Sequence, residues 1–207
     1  DALSFRDQAG IFGSVVAFNT EVDAATAEAI METIVEGVAA PAFSEEALGE
    51  FNNFGKHRRN KAIRILQFPD LSVLPKFTGD GVNAFEMKVF DDGSIVLAQP
   101  YLSRVRGTDD LVPAYGEHPE KGRIEIARPA TERERDDLLF AWYVNIHVRS
   151  NGVVIAKNGQ TLAVGTGEQD RVGAVQQAVH KAKTKYKGNE TLEGAVMSSD
   201  AFFPFRD

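Results

Sequence analysis

The stretch Ser150 to Arg171, SNGVVIAKNGQTLAVGTGEQDR, carries side chains whose type and spacing suit the holding of a ligand. Asn151 has an amide that both donates and accepts. Lys157 is a mobile point charge, and Arg171 is a planar fork that fits a carboxamide oxygen or a phosphate. Val153, Val154 and Ile155 lead to Asn158-Gly159, and Thr161 to Val164 return, which is a hairpin pattern because both centres of a type I′ turn need positive φ. Gly165-Thr166-Gly167 then bends the chain. Thr166 and Gln169 have the spacing of a capping box, which puts Arg171 one turn into the helix that follows. A helix start with free N–H groups, next to glycines and an arginine, suits an anionic ligand. At the end of the chain, Phe202, Pro204 and Phe205 offer faces for flat rings, and Asp207 offers an acceptor.

Each of these residues also has an ordinary reading. Asn151 before Gly152 suits a helix C-cap. The glycine bend alone is a turn, Arg171 alone a solvated helix residue, and Lys157 a solvent-facing neighbour of a hairpin turn. The FFPF cluster suits a core or a dimer contact. His147 stands late in an amphipathic helix, where a partly buried structural histidine is expected. Lys56, His57, Arg58, Arg59 and Lys61 read as a solvated turn before a strand rather than an anion patch. His118 and His180 have no partner pattern, and no metal site is assigned.

The elements that must position these groups can be read in chain order. Gly13 to Phe18 is a strand. Asp23 caps a helix carrying Ala27, Ile30, Met31, Ile34, Val35 and Val38 on one face, which Pro41 stops. Ser44 caps a second short helix, and Ala62 to Phe68 is a strand. Phe85 to Phe90 and Ser94 to Ala98 form a hairpin around Asp92-Gly93. Residues 103–130 have little periodicity and form a connection or insertion, which gives three parts: 1–102, 103–130 and 131–207. Thr131 and Glu134 make a capping box for a helix through Ile146. A helix with Val172, Val175, Ala178, Val179 and Ala182 inward follows the glycine bend, and Gly194 to Met197 is a last strand. Strands alternating with helices, with two hairpins among them, imply α/β layers on a mixed sheet.

The composition sets limits. A chain of 207 residues can bury a real core, and 43% hydrophobic with 26% charged residues is ordinary for a globular protein. No apolar run of about 18 residues exists to span a membrane, and no signal-peptide pattern is present. The absence of cysteine excludes disulfides and thiolate metal ligands. A net charge of −7 argues against nucleic-acid binding while permitting a local basic pocket. The sequence starts at Asp1 without Met and reads as cut at both ends.

Two long motifs carry a family likeness. VRSNGVVIAKNGQTLAVGTGEQDR followed by SSDAFFPFRD, and IFGSVVAFNTEVDAATAEAI with EGVAAPAFSEEAL ahead of them, resemble the formyltransferase part of the bifunctional purine enzyme. That enzyme joins AICAR transformylase to IMP cyclohydrolase. The likeness is good over 12–50 and 136–207 and thin over 70–130.

The resemblance implies a cytidine-deaminase-like fold, a three-layer α/β/α arrangement on a mixed sheet, without zinc. It implies transfer of a formyl group from 10-formyltetrahydrofolate, the co-substrate, to the 5-amino group of AICAR. That is the phosphoribosylaminoimidazolecarboxamide formyltransferase step of IMP biosynthesis, in a family whose activity responds to potassium. By position, Gly13, Glu36, Asn151, Arg171 and Phe202 fall on the AICAR side, and Asn151 and Lys157 in the catalytic group. Phe12, Val172, Pro204, Phe205 and Asp207 fall on the folate side. A cytoplasmic homodimer with shared active sites is implied, with no nucleic acid and no membrane. Three departures matter. The family's Lys-His pair falls upstream of residue 1, the His and Arg of its final segment fall beyond Asp207, and its GQQSR reads Gly167-Glu168-Gln169-Asp170-Arg171. The alternative is therefore a nucleotide- or folate-binding segment that does no chemistry.

Overall fold

The computed structural model describes residues 8–68, 70–81 and 84–201. It is an α/β chain with both parallel and antiparallel sheets. The chain divides into two compact units, 1–74 with 185–188, and 75–184 with 189–207. The division falls at Leu74/Pro75, ahead of the 103–130 stretch.

In the first unit a short helix α1 (Gln8–Ile11) precedes β1 (Ser14–Ala17), which pairs in parallel with β2 (Val35–Ala40). β2 pairs in parallel with β3 (Arg64–Gln67), so it is central. Between them run α2 (Ala24–Met31), capped by Asp23, and α3 (Glu45–Phe51), capped by Ser44. Val22, Ile30, Met31, Val35, Val38 and Phe51 form the core.

The helix expected over 24–38 is corrected here. It ends at Met31, and Val35 to Ala40 is a strand. A parallel strand buried on both faces reads as a continuous apolar run, and such a run imitates one face of a helix. The turn at 52–61 is solvated at Lys56, Arg58, Arg59 and Lys61, as expected, but two of its residues are buried. Asn60 is buried, takes the Val35 N–H and donates to Met31 O and Thr33 O. His57 is buried against Glu50, and Lys56 pairs with Glu28 and Glu50.

In the second unit, β4 (Glu86–Val89) and β5 (Ile95–Ala98) make an antiparallel hairpin, as do β6 (Tyr115–His118) and β7 (Gly122–Glu125). The latter lies within the stretch expected to lack periodicity. Residues 103–110 are docked on α4 (Glu132–Asn145): Trp142 Nε1 donates to Ser103 Oγ at 2.9 Å, and the Tyr143 hydroxyl to Arg106 O at 3.0 Å. The Thr131–Glu134 capping box forms as expected.

The antiparallel sheet has the order β10 (Val196–Ser199), β8 (Val153–Lys157), β9 (Gln160–Gly165). β8 is buried on both sides. Val154 and Ala156 pack with Ala141 of α4. Val153 and Ile155 point the other way by alternation, toward the layer of α5 (Arg171–Thr184), which packs on β9 and β8. Contact there is backbone to backbone. A Cβ on Gly165 would lie 2.0 Å from Ala174 O, so only glycine fits.

Candidate functional site

The Asn158-Gly159 turn forms as expected, with φ of 53° and 67°. Its tip is tied down by groups the sequence pattern did not signal. Gly159 N donates to Asp137 Oδ1 at 2.8 Å, and Asp137 also takes Arg133 Nη1 at 2.7 Å. Lys157 is in this region, its Nζ 2.9 Å from Glu190 Oε2, and Asn158 Nδ2 donates to Glu190 at 2.8 Å. The hydrogen bond from Lys157, then that from Asn158, hold the Glu190 carboxyl below its usual range.

At the opposite end of β8 the chain makes a corner. The Ser150–Asn151 peptide is cis. Asn151 Nδ2 donates to Glu168 O at 2.8 Å, and Thr166 Oγ1 to Arg149 O at 3.0 Å, so the glycine bend is laced to the corner. Arg171 opens α5 and is only 8% exposed. Its Nη1 donates to Asp200 Oδ1 and, at 3.5 Å, to Gly152 O. Its Nε–H is buried and meets no acceptor. Asp200 also takes Gly152 N at 3.0 Å, and its own N–H donates to Gly152 O at 3.3 Å. Burial raises the Asp200 pKa, but hydrogen bonds from Ser150, Gly152 and Arg171 outweigh it and leave the carboxyl below its usual range.

The open helix start expected at α5 is corrected. No Thr166–Gln169 box forms. Asp170 is the cap, its Oδ1 accepting Gly173 N at 2.7 Å and its carbonyl accepting Ala174 N. Glu168 is held by Gln177 nearby. A helix start that already holds its own carboxylate is a poor phosphate seat, because Gly173 N is taken and the charge beside it is of the wrong sign.

Asn151 and Arg171 therefore sit in one corner, and Lys157 is at the other end of its strand with Glu190. Val172 is 48% exposed on the first turn of α5. In the first unit, Gly13 stands beside Glu36: a Cβ on Gly13 would be 3.3 Å from Glu36 Oε1, and φ at Gly13 is +72°. Phe12 is 68% exposed at the rim of a hollow of about 60 Å³ with Thr33, Ile34 and Arg59. Phe202, Pro204, Phe205 and Asp207 lie outside the described residues. His147, expected to be partly buried late in a helix, is exposed, because α4 ends at Asn145 and His147 lies in the turn beyond it.

Asp200 has no local signal in the sequence. Only the register reveals it: Ser199 stands opposite Val153, so the next residue faces Gly152. Among the described residues, no group of three or more His, Cys, Asp or Glu side chains is placed to hold a metal ion. No helix of the described residues is long and apolar enough to cross a membrane.

Comparison with known proteins gives one answer. The family model described as AICARFT/IMPCHase bienzyme matches residues 2–181. A bifunctional purine biosynthesis protein PurH from Aquifex aeolicus is 38% identical over 201 residues, which is 97% of this chain and 33% of the relative. A PurH from Acetivibrio thermocellus is 38% identical over 202 residues, with the same coverage. The chain spans about a third of the length of these relatives. The chain belongs to the AICARFT/IMPCHase bienzyme family.

Proposed function

We propose that this chain acts in purine biosynthesis by helping to transfer a formyl group from 10-formyltetrahydrofolate to the 5-amino group of AICAR. The fold behind this reading is the cytidine-deaminase-like one, without zinc, in a cytoplasmic homodimer. The observation that carries it is the corner in which Asn151 and Arg171 lie together, in a chain whose relatives are bifunctional purine enzymes.

Formyl transfer to an amine passes through a tetrahedral intermediate. It needs a positioned amine and donors for the growing oxyanion. The AICAR amine is a weak nucleophile because its lone pair spreads into the imidazole carboxamide, so positioning counts heavily. Arg171 has donor capacity that Asp200 and Gly152 do not use, since its Nε–H is unpaired. The capped start of α5 favours the uncharged carboxamide over the phosphate as the group facing this corner.

A second reading, binding without chemistry, is favoured by one observation. Asp200, the carboxylate of the corner, is held below its usual range and is a weak proton acceptor.

The test is formation of tetrahydrofolate from 10-formyltetrahydrofolate and AICAR. Arg171→Ala lowers kcat/KM by about 100-fold, and Asn151→Ala by about tenfold. Unchanged rates in both variants would sink the site assignment. Binding of AICAR by the wild type with no turnover would select the second reading.

A further inference from the structure

We propose that Asp200 is the positioning residue of the AICAR corner, the side chain that holds Arg171 and the Asn151 backbone in one fixed arrangement. This rests on the function proposed above.

The Asp200 carboxylate takes donors from separate pieces of chain. Arg171 Nη1 comes from the start of α5. Gly152 N, at 3.0 Å, comes from the residue that directly follows Asn151. The backbone repeats the tie, with Asp200 N donating to Gly152 O at 3.3 Å. Asn151 is thus followed directly by a residue bonded twice to Asp200. On its other side Asn151 is fixed through Glu168 O.

The pairing with Arg171 is partial. One terminal nitrogen serves the carboxylate, and the buried Nε–H is left without an acceptor. A carboxylate placed only to neutralise an arginine would take two parallel N–H groups of the fork. Here the fork is gripped at one corner, so donor capacity remains while its long side chain loses its freedom before a ligand arrives. Ordering arginine in advance removes a cost that binding would otherwise bear. Asp200 acts on the ligand only through Arg171 and the Ser150–Gly152 corner, so it is not a catalytic residue.

The test is a double-variant cycle on this chain, read as equilibrium binding of AICAR and, where turnover is present, as KM against kcat. The variants are Asp200→Asn, Arg171→Ala and both together, each checked by thermal melting. Asp200→Asn alone weakens AICAR binding about tenfold. In the Arg171→Ala background the same change has a smaller effect, about threefold, because only the route through the Ser150–Gly152 corner is left. Asp200→Glu, which restores the charge, recovers part of the affinity. If the two single effects instead multiply, or if Asp200→Asn binds like wild type while Arg171→Ala does not, the positioning role is overturned and the proposed function stands. If wild type fails to bind AICAR, the proposed function falls and takes this role with it. Should Asp200→Asn not fold, Asp200→Ser takes its place in the cycle under the same criteria.

Discussion

Asp200 links a charge to the shape of a corner, and its titration has a definite sign. Its folded pKa lies below the unfolded value, so its contribution to stability is complete above the ordinary aspartate value of about 3.9 and is lost as pH falls through the lower folded value. Wild type should therefore melt above Asp200→Asn at neutral pH, and the gap should narrow once the pH drops below about 4. A gap that stays constant from pH 7 to pH 3 would show that the carboxylate charge is not what holds the corner. Residues of this kind were the least legible in the sequence. Asn151 and Arg171 stand out through motif and type, whereas Asp200 and Asp137 gain their roles from strand register and from a helix 20 residues or so away along the chain. No local pattern encodes a partner that only tertiary packing supplies.

At the level of elements, local chemistry was readable where one short stretch decides it. Asn158-Gly159 forms its turn, and Asp23, Ser44 and Thr131 cap the helices they precede. The helix read through to Val38 failed because the apolar spacing of Ile34, Val35 and Val38 fits two periods. Thr33, Val35 and Gly37 were the warning, being poor helix formers at alternate positions, the spacing of a strand. At the glycine bend, Thr166 had a capping partner in sequence, but Asp170 is closer to the helix start and a carboxylate there is favoured by the helix dipole. Two glycines separate packing from propensity. Gly165→Ala forces a methyl group into the Ala174 carbonyl, which is backbone and cannot move aside, and should lower the melting temperature by roughly 5–10 °C. Gly49→Ala, at an exposed position of α3 with nothing within 4 Å of the new Cβ, should raise stability by about 0.5–1 kcal/mol in urea unfolding. Equal effects at both sites would mean that the approach of α5 to β9 is not tight.

Over the whole molecule, burial is uneven. β8 is covered on both faces, but Met87, Val89, Ile95 and Leu97 line one face of the β4–β5 hairpin at 64, 64, 58 and 65% exposure. A two-stranded sheet with an uncovered apolar face is marginal by itself. Its amide hydrogens should exchange with solvent orders of magnitude faster than those of β8, as read by mass spectrometry at low protein concentration. Protection equal to that of β8 would mean that the face is covered in solution. The two hairpin tips also differ in what can be attached to them. Asn158-Gly159 looks like an open loop, the usual place to splice in a tag or a fluorophore-binding peptide. Yet Asp137 holds its backbone N–H and Glu190 its side-chain amide, so a peptide spliced there would break the bonds that tie the turn to α4 and to Glu190. At Asp92-Gly93 the turn closes on itself, Gly93 N to Phe90 O and Ser94 N to Asp92, and that tip is where a label belongs.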